Sequence, residues 1–164
     1  MPGTATGYPR AMTSTIGRGV LAGAVGTTLL NAVTYLDMAL RGRPASSTPE
    51  DTVSHALDAA GLRLPGDEET RSNRLAGIAP LAGLATGVCV GTGYGVAAGL
   101  TGTPRTLPGG LLVGAAAMAG ANGPMAVLGT SDPRAWSAAD WASDVVPHVA
   151  YGLVTAFTYR AGAV

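Results

Sequence analysis

Glycine recurs at every fourth residue in the middle of the chain, inside a run from Leu75 to Pro104 that has no acidic or basic side chain. The five glycines are Gly83, Gly87, Gly91, Gly95 and Gly99. In water each interior glycine would cost a helix about 0.8–1.0 kcal/mol relative to alanine. In a bilayer the helix is almost the only available backbone structure, and glycines at this spacing let a neighbouring helix approach closely. We therefore predict a membrane-spanning helix whose glycine face packs on another helix.

The charged residues leave four long gaps in the chain. Charged residues make up only 12% of the sequence, which is about half the usual fraction. A membrane span needs roughly 20 mainly apolar residues. The gaps predict four spans, at about 16–40, 75–102, 107–129 and 143–160. The sequence thus predicts an all-α integral membrane protein, with a four-helix bundle over 16–164 that follows a disordered tail over 1–15.

Two short helices are predicted at the membrane surface between the spans. Thr48-Pro49-Glu50-Asp51 is a helix start, because Thr48 can cap, proline suits the first turn and acids favour the positive end of the helix dipole. This helix is predicted over 49–60. The second, over 133–142, contains Trp136 and Trp141, the only two tryptophans. Tryptophan concentrates at the water–lipid boundary, so we expect both at the membrane interface.

Small residues at four-residue spacing also mark the first and third spans, as Gly19 with Gly23 and Gly110 with Gly114. We expect these glycines to pack against other helices too. When Gly23 is aligned on Gly114, Asn31 falls on Asn122, and each unit has the order span, surface helix, span. Two such units would form a parallel tandem repeat. Chance similarity in a sequence rich in alanine and glycine remains the alternative.

Three features of the chain are shared with a known group of proteins. They are the glycine-rich first span, the connection from Arg-Gly-Arg-Pro to Thr-Pro-Glu-Asp, and the His-x-x-Tyr-Gly segment from His148 to Gly152. In these features the chain resembles the YagU-like group of small bacterial inner-membrane proteins, a family of undefined function. Gly91 stands where a second His-x-x-Tyr-Gly segment would need its histidine. The resemblance implies a helical protein of the bacterial inner membrane and brings no established catalytic residues.

Polar residues inside the spans are the candidate functional residues, because their burial in lipid is costly. Asp144, His148, Tyr151 and Thr155 share one face of the last span. Asp144 lies one turn before His148 and could accept its N–H, as in a proton relay or a cation site. Alternatively, this polar face hydrogen-bonds to neighbouring helices and orders the bundle, which is the interpretation we favour. Asn31 and Asn122 are predicted near mid-span, where they could bond to each other.

The sequence contains no catalytic or metal-binding motif. Two distant histidines and the single Cys89 do not form a zinc site, and no nucleophile elbow, P-loop or HExxH segment occurs. We therefore predict no enzymatic activity, no cofactor and no metal, and a net charge of zero gives no indication of a nucleic-acid partner.

The lipid bilayer is the first predicted partner of the chain. Two functions remain open. One is a structural or interaction subunit that packs through its glycine faces against itself or other membrane proteins. The other is a small transporter or channel for protons, ions or small solutes, with a polar interior at Asp144, His148, Asn31 and Asn122.

Overall fold

The protein is a bundle of helices, with no strand among the residues that the structure describes. The structure is a computed structural model and describes residues 8–162, with side chains from residue 14. The helices in this range are α1 (Tyr8–Arg41), α2 (Thr48–Ala59), α3 (Glu68–Thr101), α4 (Thr106–Val127) and α5 (Ala138–Ala161). A 3-10 turn at Pro133–Ala135 precedes α5. The predicted all-α class is confirmed.

Three of the described helices are long and apolar enough to cross a membrane. They are Ser14–Arg41 within α1, and the whole of α3 and α4. Three such helices indicate a multi-pass membrane protein. Four spans were predicted, but α5, the helix that contains the predicted fourth span, is not among these three. Asp140, Asp144, His148 and Arg160 all lie within the 24 residues of α5 and lower its hydropathy.

Local side-chain contacts set the start of two helices. The Asp67 carboxylate accepts a hydrogen bond from the N–H of Thr70 and caps α3. Ser137 and Asp140 form a reciprocal capping box at the start of α5. Hydrogen bonds from the hydroxyl and the N–H of Ser137 hold the pKa of Asp140 below its usual value. Both carboxylates also lie at the positive end of a helix dipole, which favours their charged form.

Two segments differ from the predicted organisation. The disordered tail was predicted over 1–15; residues 1–7 lie outside the described residues, whereas the chain from Tyr8 onwards is the beginning of α1. A separate interfacial helix was predicted over 133–142, but the turn at Pro133–Ala135 is followed by extended backbone at Trp136. The capping box then starts α5 at Ala138, and this helix continues without a break into the predicted last span. The other surface helix, predicted over 49–60, is α2.

Helix α1 is central to the bundle. It packs along α3 on one side and along α5 on the other, and α5 also packs along α4. Helices α3 and α4 touch less extensively, and α2 contacts both of them. The segments 42–67 and 128–137 lie at one end of the bundle, which we name the connection end. The loop 102–105 and residue 162 lie at the other, which we name the terminal end.

Glycine allows the backbones of α1 and α3 to touch. A Cβ atom added to Gly91 would lie 2.5 Å from the Cα of Gly23, and one added to Gly23 would lie 2.7 Å from the carbonyl oxygen of Gly87. A Cβ on Gly19 would lie 2.8 Å from the carbonyl oxygen of Gly91, and one on Gly95 would lie 3.0 Å from the Cα of Gly19. Any larger residue at these positions would push the two helices apart.

A similar contact joins α4 to α5. A Cβ atom on Gly114 would lie 2.6 Å from the carbonyl oxygen of His148, and one on Gly110 would lie 2.8 Å from the Cα of Leu153. Gly152, which was not among the predicted packing residues, faces both, and a Cβ there would collide with the carbonyl oxygen of Gly110. Both helix pairs therefore pack through glycine.

The first and last glycines of the α3 series are less enclosed. A Cβ on Gly83 would have no described atom within 4 Å, and the three atoms nearest to one on Gly99 all belong to the side chain of Thr15. Each four-residue step turns the series around the helix by about 40°, so five glycines in a row do not all face one neighbour. The predicted packing role of Gly83 is therefore corrected, since this residue is exposed.

We predict that Gly91→Ala destabilises the bundle and that Gly93→Ala does not. The new methyl group would collide with Gly23 in the first variant, whereas the second places it in open space. Overpacking of this kind costs about 1–3 kcal/mol, while alanine in place of an exposed helical glycine gains up to about 1 kcal/mol. Unfolding in mixed detergent micelles measures both. Equal stability of the two variants would contradict the close contact between α1 and α3.

Candidate functional site

Asp144 and His148 meet α4 near the connection end of the bundle. The side-chain N–H of Asn122 donates to Asp144 Oδ2 across 2.8 Å. His148 Nδ1 lies 2.7 Å from the backbone carbonyl oxygen of Asp144 and 3.3 Å from Asp144 Oδ1. A carbonyl oxygen only accepts, so Nδ1 carries the proton and Nε2 is the ring atom that can accept one. We name these three residues the Asn122–Asp144–His148 cluster.

This cluster is largely shielded by the surrounding helices. The side chains of His148 and Asp144 are 12% and 19% exposed, and Asn122 is 8% exposed. The side-chain oxygen of Asn122 is buried without a hydrogen-bond partner. A carboxylate beside an imidazole can hold and pass a proton, and an unpaired amide oxygen can accept a hydrogen bond or contact a cation. Within the described part of the chain, no group of three or more His, Cys, Asp or Glu side chains could hold a metal ion.

Tyr151 and Thr155 face a different part of the bundle, where α1, α3 and α5 meet. The Tyr151 hydroxyl is buried and donates to the carbonyl oxygen of Gly87 across 2.6 Å. Thr155 is also buried, beside Gly26 of α1, and its hydroxyl has no partner. The polar face predicted on α5 is thus divided between two neighbourhoods, one on α4 and one on α1 and α3. The hydrogen bond of Tyr151 links α5 to α3.

Asn31 and Asn122 do not meet. Asn122 is buried against Asp144, whereas Asn31 is exposed on the outer surface of α1. The buried face of α1 passes through Ala22 and Thr27, and the next four-residue step turns Asn31 away from it. The prediction that Asn31 belongs to a polar interior is therefore corrected.

The two tryptophans form a pair at the connection end. Their ring centroids lie 5.1 Å apart in an edge-to-face arrangement. The indole N–H of Trp136 donates to Ser131 Oγ across 2.9 Å, and Trp141 is exposed. An indole with an apolar body and a bonded N–H suits the water–lipid boundary, and the assignment of both residues to that boundary stays a prediction.

Sequence reasoning missed a set of polar contacts at the terminal end. The Tyr159 hydroxyl is buried and donates to the carbonyl oxygen of Gly95 across 3.0 Å. The Arg18 guanidinium lies 4.8 Å from the centre of the Tyr159 ring, and the ring of Tyr94 packs edge-on against it. Tyr159 follows Tyr151 by eight residues, and Gly95 follows its counterpart Gly87 by the same number. This shared spacing of eight residues was the one feature of the sequence that could have indicated the hydrogen bond between Tyr159 and Gly95.

A second group that the sequence analysis did not use joins α1 to α5 at the connection end. Asp37 accepts hydrogen bonds from Arg43 Nε at 2.6 Å and from Arg41 Nη1 at 3.4 Å. Arg41 also donates to Ser143 Oγ across 2.7 Å. Asp37, Arg41 and Ser143 border a pocket of about 120 Å³ whose other lining residues are apolar. The four-residue spacing of Asp37 and Arg41 was visible in the sequence, but the partner on α5 was not.

Comparisons with known proteins were made for sequence and for fold. No protein-family model matches the chain, and no curated protein and no solved structure is significantly similar to it. The resemblance to the YagU-like group therefore stays a prediction. Function is inferred from the geometry of the bundle itself.

We predict that Tyr151→Phe weakens the bundle while Tyr35→Phe leaves it unchanged. The first variant removes the hydrogen bond to Gly87, whereas the Tyr35 side chain is 63% exposed and forms none. A buried hydrogen bond contributes about 0.5–1.5 kcal/mol in water and about 0.6 kcal/mol on average between membrane helices. Unfolding in mixed micelles measures the difference. A loss at Tyr35 as large as that at Tyr151 would contradict the proposed link between α5 and α3.

Proposed function

We propose that this protein is a structural or interaction subunit of a membrane assembly, without enzymatic activity of its own. It associates with a second copy or with another membrane protein through the outer face of α3. The bacterial inner membrane, which the resemblance implies, is the proposed location. The observation that supports the proposal is the small-residue character of this face, on the side of α3 opposite its contact with α1.

Four residues define the outer face of α3, and all are small and exposed: Ala82, Ala85, Cys89 and Gly93. A Cβ atom on Gly93 would have no neighbour within 4 Å, so no described residue occupies the face there. Without a hydrophobic driving force in lipid, helices associate where small residues let their backbones approach. The face therefore offers the kind of surface on which a partner helix packs.

The glycines expected to bind a partner are already used inside the bundle. Gly19 and Gly23 of α1 contact Gly87 and Gly91 of α3, so these surfaces are not free for another protein. Association through a different, outward face follows from this. It also explains why α3 carries small residues on both of its sides, one for α1 and one for the proposed partner.

We further propose that α5 is the fourth crossing. Its 24 residues extend about 36 Å at a rise of about 1.5 Å per residue, more than the hydrocarbon core of about 30 Å. Asp144 bonds to Asn122 of α4, His148 bonds to Asp144, and Tyr151 bonds to α3, so these polar groups are turned away from lipid. A helix whose polar groups are satisfied inside the protein can cross despite a lower hydropathy.

The packing supports a tandem repeat as well. Gly95 of α3 lies on Gly19 of α1, and Gly152 of α5 lies on Gly110 of α4. These are equivalent positions when Gly23 is aligned on Gly114 and the two Tyr-Gly pairs are aligned on each other. In this alignment α5 is the counterpart of α3, which is one of the apolar helices. The surface helix α2 has only a 3-10 turn as its counterpart.

Cys89 provides a direct test, because it is the only cysteine and lies within the proposed face. Oxidative or bismaleimide cross-linking in native membranes should yield a discrete product, either a dimer or a complex with one partner. The product should disappear in Cys89→Ala. Phe157→Cys in that background is the matched control, since Phe157 is 61% exposed on α5. Equal cross-linking from both positions, or none from Cys89, would contradict association through α3.

A small transporter or channel is the second candidate, and the buried Asn122–Asp144–His148 cluster favours it. Beyond this cluster, Tyr151 and Tyr159 fill the centre of the bundle, so a conducting state would require them to move. In proteoliposomes, His148→Ala and Asp144→Asn should then abolish proton or cation flux, while Tyr35→Phe should retain it. Flux that is absent from the unaltered protein, or that is insensitive to His148, would count against this candidate.

A further inference from the structure

The two ends of the bundle differ in charge. All ten acidic residues lie at or near the connection end, together with six of the ten arginines. The terminal end has four arginines in the sequence, Arg10, Arg18, Arg105 and Arg160, and no acidic residue. We propose that the terminal end binds the phosphate groups of anionic phospholipids through Arg18, Arg105 and Arg160.

The three arginines lie at the depth of lipid headgroups. In α1, Arg18 and Asp37 enclose 18 residues without charge, and the 19 steps between them span about 28 Å at a rise of about 1.5 Å. This length matches the hydrocarbon core of about 30 Å. Arg105 immediately precedes α4 and Arg160 lies in the last turn of α5. All three therefore reach the same water–lipid boundary.

The guanidinium groups at this end have N–H donors without a described hydrogen-bond partner. Arg18 makes two long contacts, at 3.3 Å to the Tyr159 hydroxyl and 3.4 Å to the carbonyl oxygen of Gly162, and its Nε is buried without a partner. Arg160 donates to the carbonyl oxygen of Pro104, and Arg105 is exposed. A guanidinium carries five N–H donors. Among the described residues, these contacts leave most donors of the three arginines without a partner.

Three of the six arginines at the connection end pair with a carboxylate. There Arg41 and Arg43 pair with Asp37, and Arg134 pairs with Asp132. Among the described residues no carboxylate pairs with Arg18, Arg105 or Arg160. No described side chain therefore neutralises their positive charge, and the arginine fork matches a phosphate in geometry and charge.

The beginning of α4 adds a second feature that favours an anion. Its N-cap residue is Arg105, no side chain caps the helix, and its first turn has no acid. Uncapped N–H groups and the positive end of the helix dipole attract phosphate. The N–H groups of Thr106 and Leu107 lie in this turn, and these two residues follow Arg105 directly in the sequence. The helix end and the arginines therefore favour the same ligand.

Apolar residues around the arginines favour a lipid over a free anion. Leu100, Leu107 and Phe157 are large, apolar and exposed near the same end. They offer contacts for acyl chains just below the phosphate, which inorganic phosphate cannot use. A zwitterionic lipid neutralises its own phosphate, so an anionic headgroup such as phosphatidylglycerol should bind more tightly.

Lipid titration followed by native mass spectrometry tests the proposal. The full chain in mild detergent is titrated with phosphatidylglycerol or with phosphatidylcholine, and bound lipids are counted. The test variant is Arg105→Gln with Arg160→Gln, which spares the contacts of Arg18. The matched control is Arg63→Gln with Arg71→Gln, two exposed arginines of the connection end. Each headgroup-level arginine is worth about fivefold in affinity for an anionic surface.

The unaltered protein should prefer phosphatidylglycerol, and the test variant should lose about twenty-five-fold in affinity for it, since two arginines are removed. The control should change by less than about twofold. Equal binding of both lipids, or an equal loss in both variants, would overturn the proposal. Inorganic phosphate alone should not raise the midpoint of thermal unfolding as phosphatidylglycerol does. If it raises the midpoint equally, the site binds a free anion and the assignment to lipid is wrong.

Discussion

Contact between glycine and backbone is the interaction on which the rest of the bundle depends. Helix α1 lies so close to α3 that a Cβ atom at Gly23 or Gly91 would collide with the opposite main chain. In lipid the apolar side chains gain nothing from leaving the solvent, so close packing of this kind holds the helices together. The same solution recurs where Gly152 of α5 lies on α4. Interior glycines would lower the stability of a helix in water. In this bundle the close packing that they allow offsets that loss.

Close approach of α1 and α3 also brings the carbonyl groups of α3 within reach of α5. The hydroxyls of Tyr151 and Tyr159 each donate to one of these carbonyls, at Gly87 and Gly95. A carbonyl oxygen has two lone pairs and can accept a second hydrogen bond without leaving the helix ladder. The two tyrosines therefore fix the register of α5 and fill the centre of the bundle with rings whose polar atoms are satisfied.

The proposed functions rest on three surfaces that this packing leaves unsatisfied or exposed. The outer face of α3 carries exposed small residues, the Asn122–Asp144–His148 cluster holds a buried amide oxygen without a partner, and the arginines of the terminal end pair with no described carboxylate. The first supports association, the second supports proton or cation chemistry, and the third supports lipid binding. Each proposal rests on a different physical property, so an experiment can contradict one of them without contradicting the others.

The sequence by itself determined the all-helical class, the three strongly apolar helices and the presence of polar residues within them, because these follow from local composition and from the needs of a backbone in lipid. It also indicated that Asp144 and His148 lie one turn apart. Only the tertiary structure decided which side of each helix meets which neighbour. A four-residue series turns slowly around its helix, so Asn31 and Gly83 end on the outside although Thr27 and Gly87, one step away, are buried. The partner of Asp144 on α4 depends on how α4 and α5 pack against each other, which local patterns do not contain.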